Sequence, residues 1–201
     1  RLPELAAELA AAGAAAVLGV VDDARFNTVS VDLEGRVRGF GDPRPAGCRR
    51  RTYTGLAALD PALLDHLPPR GHSTLVQGLQ AALAAGREVR AVELAGFWDD
   101  LGAPARLWAL HRDLAAGLRP ELAGLAPPEP VWLAPGAELA PGAGVEGFLY
   151  AHAGARVEAG GLAADSLLLP GAVVKAGARV RGAILGDGFA ARGEVSGGAH
   201  A

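Results

Sequence analysis

The sequence predicts an α/β domain followed by a parallel β-helix built on hexapeptides. Three observations carry this. Over residues 1–117, apolar runs of strand length alternate with leucines at helical spacing. From Leu133 onward, apolar or small residues return every six positions, with glycine or Pro-Gly between them. Between the two lies LRPELAGLAPPEP (118–130), which holds four prolines and no periodic pattern and reads as a linker. Glycine supplies 29 of the 201 residues, about twice average usage, and much of it falls beyond residue 130.

The elements follow in order. Pro3 to Ala12 reads as a helix, with Pro3 in its first turn and Gly13 ending it. Ala16 to Val21 is a continuous apolar run, the kind buried on both faces of a parallel sheet. Val29, Val31 and Leu33 alternate with polar residues, Glu34-Gly35 turns, and Arg36 to Phe40 returns, which predicts a hairpin. Thr52 to Leu59 is the next strand. Asp60-Pro61 caps a helix to about His66, and Ser73 or Thr74 caps another that ends at Gly86. Glu88 to Leu94 alternates as a strand, and Pro104 opens a helix through Leu114.

The repeat places Leu133, Leu139, Val145, Ala151, Val157 and Ala163 in one register. Ala137, Ala143, Leu149, Ala155, Gly161 and Leu167 lie four residues later in each hexad. After a one-residue slip the pattern resumes at Val174 and Val180. Three flat faces of six residues make a coil of about 18 residues, so residues 131–189 hold about three coils, with the first register pointing inward. Residues 190–201 are expected to form a tail.

Composition excludes several function classes. Nineteen basic against 22 acidic side chains leave a net charge of −3, which argues against a nucleic-acid binder relying on an overall basic field. A single cysteine, Cys48, forms no intrachain disulfide and no thiolate metal cluster, and fits a reducing cytoplasm. No apolar run reaches membrane-spanning length, and the N-terminus lacks a signal-peptide layout, so neither a membrane nor a secreted protein is expected. The chain contains no methionine and begins at Arg1, so further sequence is expected upstream.

Three segments carry a family resemblance: VDLEGRVRGF (31–40), TYTGLAALDPALLDHLP (52–68) and GFWDDLGAPARLWALHRDL (96–114), with the hexads after them. Together they resemble the sugar-phosphate nucleotidyltransferases, especially the mannose-1-phosphate guanylyltransferase type. The resemblance implies the C-terminal part of a Rossmann-like nucleotidyltransferase domain followed by a short left-handed β-helix. It implies transfer of a nucleotidyl group from a nucleoside triphosphate to a hexose 1-phosphate, with release of pyrophosphate and with Mg2+ as cofactor. GTP and mannose 1-phosphate are the preferred pair. Both reactants are anionic, so metal and basic side chains must lower their repulsion.

Residue by residue, Asp100 matches the family's metal ligand, two positions after the aromatic Trp98 in WDDLG. The plainer reading makes Asp99 and Asp100 helix-capping or solvated loop acids. Thr54 and Gly55 match the place where the family's backbone approaches the sugar; the alternative is a strand glycine at a bulge. Asp42 and Arg44 stand near where the family carries a Glu-Lys pair for sugar and phosphate, with altered spacing and both residues substituted. Arg49-Arg50-Arg51 would face a phosphate or form a solvated loop. The family's Gly-rich phosphate loop and its earlier metal-binding Asp match nothing in these residues, so the chain alone is expected to be inactive.

Two further readings stand beside this one. A non-catalytic regulatory subunit would use the β-helix as a partner interface. A hexapeptide acyltransferase would use His152, in the hexad AHAGAR, as general base. His66, His72, His111 and His200 show no metal-ligand spacing and read as structural. Open β-helix ends predict a homo-oligomer through residues 131–189.

Overall fold

The computed structural model describes residues 1–68, 70–122, 124 and 129–201. The chain divides into two units, Arg1–Trp98 and Asp99–Ala201. The boundary falls before the last predicted helix, not after it, because that helix packs on the coils.

In the first unit, α1 (Leu2–Ala12) ends at Gly13, whose φ of 58° lets its N–H reach Leu9 O. Then come β1 (Ala16–Val21), β2 (Val29–Val31), β3 (Val37–Phe40) and β4 (Arg49–Leu59). A 3-10 helix (Pro61–His66), α2 (Leu75–Ala84) and β5 (Val89–Glu93) complete it. The Asp60 carboxylate accepts from Ala62 N at 2.8 Å. Thr74 and Gln77 form a capping box, each side chain accepting from the other's backbone N–H.

The sheet runs β3-β2-β4-β1-β5. The apolar run of β1 predicts a parallel setting, and here the structure corrects the sequence. β1 is parallel to β5 but antiparallel to β4. Its burial comes from what covers the two faces, not from strand direction. Ala16, Leu18 and Val20 join Leu63, Leu79 and Ala82 in one cluster, while Val17 and Leu5 are fully buried outside it. The sheet also curls: Ala91 N donates to Gly35 O at 2.8 Å, and Arg36 bridges to Arg90.

A second correction concerns Arg49-Arg50-Arg51, which form no loop. They open β4, paired to Val31, Ser30 and Val29. Further along, Leu18 faces Ala57 and Val20 faces Tyr53, so Thr54 to Leu56 bulge opposite Gly19.

The second unit opens with α3 (Pro104–Ala115). The described part of 118–130 contains a 3-10 turn at Pro120–Leu122, and residues 123 and 125–128 of this expected linker lie outside the described residues. Short strands follow: β6 (Val131–Leu133), β7 (Glu138–Leu139), β8 (Gly144–Ala151), β9 (Arg156–Val157), β10 (Leu162–Leu168) and β11 (Val173–Val174). The last are β12 (Arg179–Arg181), β13 (Ile184–Leu185), β14 (Ala190–Ala191), β15 (Glu194–Ser196) and β16 (Ala199–His200). Their pairings are parallel, in sheets of seven and four strands, and wind a β-solenoid of about four turns.

Coil length is not constant. Gly144 pairs with Leu162, eighteen positions on; Leu162 with Arg179, seventeen on; Arg179 with Glu194, fifteen on. The predicted slip lies at a corner. Glu146 faces Ala164 and Leu149 faces Ser166, so Gly147-Phe148 are matched by Asp165 alone. Asp165 turns that corner with φ 47°, and its carboxylate accepts from Phe148 N at 3.2 Å. The slip thus precedes Leu167, earlier than the hexads place it, and Leu167 packs outside with Phe148, Tyr150 and Ile184 against Leu107 and Trp108 of α3.

Inside, Leu149, Ala151, Val157, Ala163, Leu168, Val174, Val180 and Leu185 form one core. Leu133 and Leu139 stay 39% and 37% exposed, since their short strands pair only toward the following coil. The expected tail at 190–201 is corrected: β14, β15 and β16 each pair with the coil before them. Shortening to fifteen residues had hidden this coil from a six-residue period.

Candidate functional site

Thr54 and Gly55 lie together in the β4 bulge. The Thr54 hydroxyl donates to Gly19 O at 2.8 Å, so it holds the bulge in place. Gly55 takes φ 91°, with nothing within 4 Å of where a Cβ would stand. The bulge glycine and the open backbone are therefore one feature. A Cβ on Gly19 would meet Leu94 Cδ1 at 2.6 Å and Leu56 O and Thr54 Oγ1 at 3.2 Å, so a side chain there would have to displace Leu94 and crowd the bulge. Trp98 braces the bulge, its Nε1 donating to Thr54 O at 3.0 Å and its ring edge-on to Phe26 at 5.8 Å.

Asp42 and Arg44 do not form a pair. Asp42 instead accepts from Arg50, which also donates to Gly41 O at 2.5 Å. Arg44 is exposed. The arginine run alternates as a strand must. Arg50 turns to the Asp42 loop, whereas Arg49 and Arg51 reach Glu93 at 3.5 and 2.9 Å. Arg51 also approaches Asp22 at 3.4 Å.

Sequence reasoning passed over Asp22, Asp23, Asn27 and Glu93. β1 and β5 run parallel, so Asp22-Asp23 after β1 and Glu93 at the end of β5 lie at the same edge of the sheet. Open α/β sheets bind ligands beyond the carboxyl ends of their parallel strands. Asn27 Nδ2 donates to Asp22 at 2.8 Å, and Asn27 Oδ1 accepts from Asp23 N at 3.2 Å. The signal in the sequence was two acids directly after a fully apolar strand.

In the second unit, Asp99 and Asp100 take different parts. Asp99 accepts from Arg106 at 2.6 Å and is largely covered. Asp100 is exposed, with one carboxylate oxygen accepting from Gly102 N at 2.9 Å. A Cβ on Gly102 would stand 3.0 Å from that oxygen, so a larger residue there would press on the Asp100 carboxylate. Among the described residues, no three His, Cys, Asp or Glu side chains gather to hold a metal ion. Magnesium needs only one or two carboxylates when phosphates and waters fill the other positions. Asp100 fits as a single such ligand, and Asp99, committed to Arg106, does not.

Three histidines of the second unit make local contacts, while His72 is exposed. His111 Nδ1 lies 2.8 Å from Leu107 O, and its ring meets Tyr150 edge-on at 5.0 Å. Burial pushes its pKa below the usual histidine value, with nearby His152 adding to the effect. His152 stacks edge-on against Trp132 at 5.6 Å. His200 lies 2.6 Å from Gly197 O through Nε2. No helix among the described residues is long and apolar enough to cross a membrane.

No protein-family model matches the chain, and no curated protein matches it.

Proposed function

We propose that the chain is the sugar-binding and metal-ligating part of a sugar-1-phosphate nucleotidyltransferase, joined to a left-handed β-helix. The observation that carries this reading is the division of labour in Trp98-Asp99-Asp100-Leu101-Gly102. Asp99 is tied to Arg106, while Asp100 is exposed and oriented by Gly102 N–H. An oriented, solvent-facing carboxylate is what a phosphate-bridged Mg2+ requires. Mg2+ would supply charge neutralisation between the two anionic reactants. Asp100 would contribute one ligand, and the Gly55 bulge would let a sugar hydroxyl approach the backbone. The phosphate-binding loop has to come from a longer chain.

The test is pyrophosphate release by the parent chain, extended upstream in frame to its start. It would be given Mg2+ and a panel of nucleoside triphosphates against hexose 1-phosphates. Release with one pair, lost on Asp100→Asn, is expected. No release from the folded, extended chain with any pair would sink the reading and favour a regulatory subunit.

A further inference from the structure

We propose that the first unit binds a small phosphorylated organic molecule in a cavity walled by Arg36, Arg38 and Arg87. The site is independent of the Thr54–Gly55 bulge. The cavity has a volume of about 420 Å³ and lies between the β2–β3 hairpin and the loop from α2 to β5. Val89 opens β5 and pairs with Ala16, the first residue of β1. The cavity therefore sits at the N-terminal ends of the parallel strands. Asp22, Glu93 and the bulge belong toward the other ends.

Charge selects the ligand class. The chain carries a net charge of −3, yet three guanidinium groups line this cavity against one carboxylate, Glu88. Arg38 is held by Asp32 at 2.7 Å. The other two are held loosely. Arg36 Nε stands 3.8 Å from Glu88, and an Arg87 nitrogen stands 3.6 Å from Asp60. Both separations exceed hydrogen-bond length. Glu88 is drawn instead toward Arg90, at 2.9 Å. Arg36 and Arg87 thus keep fork-shaped donor capacity for phosphate oxygens, which guanidinium groups bind bidentately.

Shape selects an organic body over a bare inorganic ion. Leu83, partly exposed beside the guanidinium groups, and the methylene stems of the three arginines give the cavity its apolar side. Its volume falls within the range of small-molecule pockets.

The experiment is calorimetric titration of the full 201-residue chain with AMP, with adenosine and inorganic phosphate as comparison probes. Saturable binding of AMP is expected, tighter than that of either comparison probe and weakening as salt rises. Arg36→Gln and Arg87→Gln should each loosen it about tenfold, as loss of a charge-assisted contact does. Arg192→Gln, exposed in the second unit and outside the cavity, should leave it unchanged. Absence of saturation at millimolar AMP with a chain shown folded by circular dichroism would overturn the proposal. So would binding that survives the Arg36→Gln/Arg87→Gln double variant, or that disappears instead with Arg192→Gln. Phosphate binding as well as AMP would overturn the organic ligand class.

Discussion

The two units bury comparable aliphatic side chains by different logics. In the α/β unit, Leu18 is covered by residues as far apart in sequence as Val37, Leu63 and Leu79. In the solenoid, Leu168 lies between its own register partners, Ala151 one coil before and Leu185 one coil after. The first core is woven from distant segments; the second is a stack of near neighbours. A stack confines damage to adjacent coils, whereas a woven core spreads it.

The sharpest way to break this comparison is to truncate one leucine in each. Leu18→Ala and Leu168→Ala should each cost about 3 kcal/mol, the usual range for a fully buried leucine. Hydrogen exchange should separate them. The Leu18 variant should lose protection across β1, β4 and β5 together, and the Leu168 variant chiefly in β8, β10 and β13. Uniform loss across every coil in the second variant would refute the stacked picture.

A smaller effect is expected at the solenoid corner. Asp165→Ala keeps φ positive but removes the acceptor for Phe148 N, and should cost about 1.5 kcal/mol. Asp165→Asn should cost much less, since asparagine tolerates that conformation. Equal midpoints for the two variants in urea would show that the side-chain contact contributes nothing.

In the α/β unit, Thr74→Ala removes half of a capping box and should cost about 1 kcal/mol. The mildest change is in pH dependence. Burial holds the folded His111 pKa below the ordinary histidine range, so the unfolded chain takes up the proton first as pH falls. Stability contributed by neutral His111 is complete above the unfolded value and declines as pH drops below it toward the folded value. His111→Gln should flatten the urea midpoint between pH 7 and pH 5, and an unaltered slope would place the acid sensitivity elsewhere.

Much of this was legible beforehand, for reasons that differ by region. Each element of the α/β unit carries its own punctuation: Gly13 after α1, Asp60-Pro61 before the 3-10 helix, Thr74 with Gln77 at α2. The hexads announce themselves because each inward residue must match its copies above and below. Asp100 was singled out by a motif; that Asp99 pairs with Arg106 while Asp100 stays exposed is what the structure adds. The acids around Arg51 went unnoticed because nothing local says which strand ends become neighbours.

What the sequence determined alone is therefore local or repetitive: strand and helix identity, caps, the six-residue register and the existence of its slip. These depend on contacts within a few residues or one coil. Strand direction around β1, the pairing of Arg50 with Asp42 in place of Arg44, the final fifteen-residue coil and the arginine-lined cavity were decided by tertiary structure. Each joins segments far apart in the chain, and a side chain carries no record of which distant neighbour will share its surface until the sheet has closed around it.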